Sequence, residues 1–251
     1  MLGKALRQLG ALDEARRLFE QVGHAAQVVF GDDYNEAWAR HELGCVLMDL
    51  GELEQARQQL ERARALRQAR GLRAFVAETE LALASLALEE GRLEEALGLA
   101  EWALAAHSAL HGSDREGLSY TVKARALLAL GEPLGAREAV ERAREIATRG
   151  EDVFVAAEVQ LTGALLASRG GTPSERTEAI QQLRALVSRA VRDGMKRVEL
   201  EARLLLVELD QEAGEDSVRE ALLSLRHEAN RLGYRDLLRR AGALERIDGA
   251  P

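Results

Sequence analysis

The 251-residue sequence predicts an all-α fold, a solenoid of antiparallel helix pairs. Three observations carry the prediction. Alanine and leucine each occur 43 times, while proline occurs 3 times and aromatic residues make up 4% of the chain. A β-sandwich or barrel of this length would need more β-branched and aromatic residues and more turn breakers. Second, a glycine-centred motif returns about every 40 residues. Third, the residues on both sides of each glycine recur at helical spacing. A hydrophobic content of 47% is ample for burial and excludes a disordered chain.

The motif is a glycine turn followed by an alanine at fixed offset. Leu9-Gly10-Ala11-Leu12-Asp13-Glu14-Ala15 returns as Leu50-Gly51-Glu52-Leu53-Glu54-Gln55-Ala56, then as Glu90-Gly91-Arg92-Leu93-Glu94-Glu95-Ala96 and Leu130-Gly131-Glu132-Pro133-Leu134-Gly135-Ala136. Looser copies centre on Gly170 and Gly214, so the glycines step by 41, 40, 40, 39 and 44 residues. Leu43, Leu47 and Leu50 form one apolar face before Gly51, and Leu53, Ala56, Leu60 and Ala63 form another after it. Glycine ends the first helix because it tolerates the left-handed backbone. The alanine five residues later lets the second helix approach the first.

The spacing predicts helices over 2–9, 12–29, 33–50, 53–70, 73–90, 93–110, 114–130, 133–149, 152–169, 173–193, 196–213, 216–232 and 235–247. Two starts carry capping boxes: Ser113-Asp114-Arg115-Glu116 and Thr172-Pro173-Ser174-Glu175, the second with proline at the tolerated first position. The chain divides into repeats at about 1–32, 33–72, 73–112, 113–150, 151–194 and 195–233, and a cap at 234–251. In the last helix Leu237, Leu238, Ala241, Leu244 and Ile247 form an apolar stripe, with Arg235, Arg239, Arg240 and Arg246 expected to face water. The first repeat is truncated, and Leu2, Leu6 and Leu9 are expected to stack on nothing. This predicts either an upstream continuation of the protein or pairing of two copies through the N-terminal edge, with Leu6→Asp dissolving the dimer.

The 42 acidic and 34 basic residues give a net charge of −8, which argues against a nucleic-acid partner. The basic residues include only Lys4, Lys123 and Lys196 as lysines, a bias that points to a GC-rich bacterial gene. A single cysteine, Cys45, excludes an intrachain disulfide. No apolar run reads as a leader or a membrane span, so the cytoplasm and no membrane partner are the expectation.

Gly170-Gly171-Thr172 lacks the lysine and spacing of a phosphate loop and reads as a helix cap. His107 and His111 have zinc spacing, with Asp114 nearby, but lack a further ligand and read as a solvated helix end. The pairs Glu89-Glu90 and Glu94-Glu95 read as surface, and the arginine-rich stretches 57–70 and 137–149 as charged outer faces. The expectation is no enzyme, no metal and no cofactor.

The spacing resembles the tetratricopeptide repeat. Leu43-Gly44, Ala56, Leu60 and Ala63 match its pattern at every step, as do Leu2-Gly3, Ala15 and Phe19, with Val22 in the last place. Further copies run through Leu83-Ala84, Ala96, Ala100 and Ala103, then Ala124, Ala136, Val140 and Ala143, then Gly163, Ala179 and Leu183, with a degenerate sixth at Ala221 and Leu225. The longer period is similar to that of MalT-like bacterial regulators. The resemblance implies a right-handed solenoid whose first helices line a concave groove. Its ligand positions fall on Trp38, His41, Cys45, Met48 and Asp49; on Glu78, Leu81, Ser85, Leu88 and Glu89; and on Leu118, Thr121, Arg125, Leu128 and Ala129. They continue through Ala157, Gln160, Ala164, Ala167 and Ser168 to Glu201, Leu204, Glu208, Gln211 and Glu212. The Lys/Asn pair of the family's chaperone-tail clamps is replaced by His41/Cys45, Leu81/Ser85, Thr121/Arg125 and Gln160/Ala164, which argues against that ligand.

The implied partner-binding set is therefore Trp38, His41, Cys45, Met48, Glu78, Ser85, Thr121, Arg125 and Gln160. Trp38, His41, Cys45 and Met48 read either as a soft recognition patch or as packing for the short first repeat. Arg125 reads either as an anchor for an acidic ligand group or as the partner of Glu78 or Glu89. Three functions follow: a protein- or peptide-binding scaffold within a bacterial signalling protein, a small-molecule sensor, or a self-assembly module.

Overall fold

The computed structural model describes residues 1–109, 114–209 and 215–248. Among these are thirteen α-helices and no strand. They are α1 (Leu2–Gln8), α2 (Leu12–His24), α3 (Asp33–Asp49), α4 (Leu53–Ala69), α5 (Arg73–Glu89), α6 (Leu93–Ser108) and α7 (Asp114–Ala129). The chain continues through α8 (Pro133–Arg149), α9 (Val153–Gly170), α10 (Pro173–Asp193), α11 (Lys196–Leu209), α12 (Glu215–Leu232) and α13 (Arg235–Asp248). The one internal departure from the sequence-based bounds is α2, which passes into a π-helical turn over Ala25–Phe30.

The glycine turns form as their chemistry requires. Gly10, Gly51, Gly91 and Gly131 have φ of 79°, 72°, 74° and 82°, the left-handed region that side chains with a Cβ avoid. Gly170 does not belong to this series: it is the last residue of α9, and Gly171 follows in extended backbone. Gly214 and Ser113 lie outside the described residues. A second series closes the opposite edge of the solenoid at Gly31, Gly71, Gly194 and Gly233. Thr172 forms its capping box with Glu175. Asp32 and Asp152 also cap α3 and α9, each accepting two backbone N–H groups.

Packing explains the motif. A Cβ on Gly44 would meet Leu60 Cγ at 2.6 Å, so α3 and α4 touch where glycine stands. Ala56, Leu60 and Ala63 are completely buried, as are Ala96, Ala100 and Ala103 one repeat later. From α3 onward each odd-numbered helix also packs on the next odd-numbered one, α3 on α5 through to α11 on α13, whereas the even-numbered helices make no comparable contacts among the described residues. Closer approach on the odd side is what bends the stack, so the odd helices line the concave face.

The two ends of the chain meet. A Cβ on Gly51 would lie 2.8 Å from Arg235 Cβ, and one on Gly233 would lie 3.1 Å from Leu50 Cδ2. Leu12, Phe19, Leu47 and Leu50 share one apolar core with Leu204, Leu225, Tyr234 and Leu237. Two expectations change here. Leu6 packs against this core and so does not stack on nothing, whereas Met1, Leu2 and Leu9 are exposed, with Leu9 beside the Gly194 turn. Of the α13 arginines, Arg235 and Arg239 are exposed, Arg239 also donating to Glu89 at 3.0 Å, whereas Arg240 is half-buried and donates to Glu201 at 3.0 Å. Arg246 and Ile247 have no described side chains.

Candidate functional site

The concave face takes its side chains from α3, α5, α7, α9 and α11, and α13 packs over it. On α3, Trp38 meets Phe19 edge-on at 5.5 Å between ring centres, and Met48 packs on the shared core. Packing against the first repeat thus accounts for one side of both residues. His41 and Cys45 are half-buried between them. The Nδ1 of His41 is enclosed without a hydrogen-bond partner. Burial, with the positive charges of Arg67, Lys4, Arg7 and Arg115, pushes the imidazole well below its ordinary pKa. Burial likewise raises the Cys45 thiol to about 11, against the pull of Arg7.

On α5, Glu78 pairs with Arg115 and lies 3.6 Å from Arg67. The Ser85 hydroxyl donates to the Leu81 carbonyl at 3.1 Å. On α7, Thr121 is buried and donates to the Leu118 carbonyl at 2.7 Å. Arg125 pairs with neither Glu78 nor Glu89. It reaches forward to α9, donating to Glu158 at 2.9 Å and to Thr162 at 3.1 Å. Gln160 accepts from Arg189 of α10 at 3.0 Å.

Beyond these residues runs a chain of alternating charges that the sequence reading passed over. Asp49 accepts from Arg7 at 2.6 Å and from Arg197 at 2.9 Å, and Arg197 also donates to Asp236 at 2.8 Å. Glu201 accepts from Arg240. Burial disfavours the charged form of Glu201, but Arg125, Arg197 and Arg240 outweigh it and hold the carboxyl down at about 2. Asp49, Glu201 and Asp236 are nearly closed off, yet Arg125, Arg197 and Arg240 keep about a quarter of their side chains accessible. The network is therefore ionic and partly accessible, with Asp49, Glu201 and Asp236 each paired to an arginine. The Tyr234 hydroxyl beside this network has no partner, and burial raises its pKa. The acid–base pairs were visible as residues; their pairing was not, because Arg197 and Asp49 lie 148 positions apart.

Two outer readings also change. His107 is not solvated: it is 2% exposed, its Nδ1 lies 2.9 Å from Ser119 Oγ, and burial lowers its pKa. His111 lies outside the described residues, and no group of three potential metal ligands occurs among those described. Arg67, within the stretch read as an outer face, is buried and donates to the Phe75 carbonyl and to Thr79, both at 2.7 Å.

Comparison with known proteins agrees with this geometry. Residues 1–69 match the tetratricopeptide repeat. The fold extends the likeness over most of the chain. A crystal structure of a Podosopora anserina kinesin light chain-type protein with nearly identical TPR-like repeats superposes with a TM-score of 0.54 at 24% identity, covering 73% of this chain and 90% of that one. A single-substitution variant of it gives 0.56 at 24% identity, covering 76% and 93%. At that identity the neighbours establish the fold alone. No curated protein matches the sequence. No described helix is long and apolar enough to cross a membrane.

Proposed function

We propose that this chain is a non-catalytic interaction scaffold that binds a protein or peptide on its concave face, within a larger bacterial signalling or regulatory protein. The observation that carries the reading is the convergence of the odd-numbered helices. The expected binding positions Trp38, His41, Cys45, Met48, Glu78, Ser85, Arg125 and Gln160 all fall on these helices. Apolar anchors beside spaced polar groups suit an extended or helical peptide. Tetratricopeptide repeats, matched by residues 1–69, are protein-interaction modules in general. A catalytic centre would need a nucleophile, base or metal set brought together. Glu78 and Arg125 of this face are held in ion pairs with Arg115 and Glu158.

The test is affinity capture from the source organism's lysate. The bait is the wild-type chain beside a His41→Glu, Ser85→Arg variant of matched helicity and melting temperature. A protein retained by wild type and lost from the variant supports the reading. Equal retention by both moves the interface off the concave face and contradicts it. The partly accessible charges Arg125, Glu158 and Arg240 favour one second reading, a MalT-like sensor of a polar small molecule. A thermal-shift screen of metabolites addresses it, because a ligand of the folded state raises the melting temperature by mass action.

A further inference from the structure

The concave face already carries a helix. Through Arg197, Asp236 of α13 is tied to Asp49 at the end of α3. Arg239 of α13 bonds Glu89 at the end of α5, and Arg240 bonds Glu201 of α11. All three acceptors stand on the face lined by the odd helices. Leu237 and Ala241 are completely buried in the core that includes Leu47, Leu86 and Leu204, and Leu238 and Leu244 pack against it. The occupant is thus an amphipathic helix with a leucine–alanine stripe flanked by arginines, held on a ledge of carboxylates. Its tether to the first three repeats differs from its tether to α12. The former combines the apolar core shared with Leu47 and Leu50 with ion pairs at Asp49 and Glu89; the latter is covalent.

We propose that α13 is a releasable strap clamped by Arg197, and that the seat it vacates receives a helix of the same chemistry from a partner: a leucine stripe bordered by arginines. The partner competes with α13 for Glu89, Glu201 and the apolar floor. This rests on the concave face being a binding surface.

The experiment uses the full chain and a fluorescent peptide of residues 233–248. Hydrogen exchange by mass spectrometry reads the strap, and fluorescence anisotropy reads the seat. In Arg197→Met, exchange of α13 rises about tenfold or more while α5 to α8 keep their protection, and the peptide binds about tenfold tighter than to wild type. A peptide with glutamate at the two positions matching Arg239 and Arg240 fails to bind. Unchanged protection of α13 overturns the strap. Release of α13 without improved peptide binding, or equal binding of the glutamate peptide, overturns the seat. If Arg197→Met loses protection throughout, Arg240→Gln, which breaks the part-buried pair with Glu201, decides by the same criteria. Capture of a partner by wild type with α13 still locked would sink the strap and spare the proposed function. A peptide that binds while no protein is captured would do the reverse.

Discussion

Gly44 and Gly98 are both helix-interior glycines with opposite reasons for being there. A Cβ at Gly44 would overlap Leu60, whereas one at Gly98 on α6 meets nothing within 4 Å. Alanine is the better helix former by ~1 kcal/mol where space allows, and overpacking a core costs ~1–3 kcal/mol. Gly44→Ala therefore lowers the urea-unfolding free energy, while Gly98→Ala raises it by ~0.5–1 kcal/mol. Both changes are read from denaturation midpoints. The Leu-Gly motif made Gly44 legible in the sequence, because its contact is with the next helix. His41 was legible only as a position. The four cations around it come from α1, α4 and α7, and no local pattern announces them. Its folded pKa lies below the unfolded value of ~6.5, so the unfolded chain binds the extra proton. Its contribution is present above that value and is lost as pH falls through the folded pKa. Urea melts at pH 7.5 and pH 5.5 should show lower stability at the acid end, with a smaller difference in His41→Gln; His107 contributes with the same sign.

The helices themselves were read closely from alternating apolar faces, because each pair makes its contacts locally. Their ends are set by glycine and by side-chain caps, and both are written in single residues. Thr172 is the sharpest case, accepting from Glu175 N–H while the Glu175 side chain accepts from Thr172 N–H. Thr172→Ala should cost ~1 kcal/mol of stability by thermal melting, and Thr172→Ser should cost much less. The π-helical turn over Ala25–Phe30 went unread. Apolar residues there, with Val28, Val29 and Phe30 all exposed, continue the helical composition without its burial. Gly170 differs from the other motif glycines for the same local reason: glycine composition does not reveal φ, and α9 ends on it without a left-handed turn.

At the scale of the whole molecule the closure of the solenoid is the feature the sequence concealed. Repeat periodicity describes each unit against its neighbours. It is silent on whether the sixth pair returns to the first. Closure is decided by Arg197, which holds carboxylates from both ends, and by Gly51 and Gly233, whose missing side chains let the turns touch. Removing one partner of a buried ion network strands the others, at ~3–5 kcal/mol, whereas a surface pair is worth ~0–1 kcal/mol. Asp49→Asn should therefore lower stability several-fold more than Lys123→Gln, which breaks only the pair of Lys123 with Glu101. Equilibrium urea unfolding compares them.

Small-angle scattering of the monomer tests the closed solenoid most directly. With both ends joined over the concave face, the distance distribution has a single compact maximum, and the radius of gyration lies near the ~18 Å expected of a globular chain of this length. A long-tailed distribution from an open superhelix, with Arg197 parted from Asp49, would contradict the account.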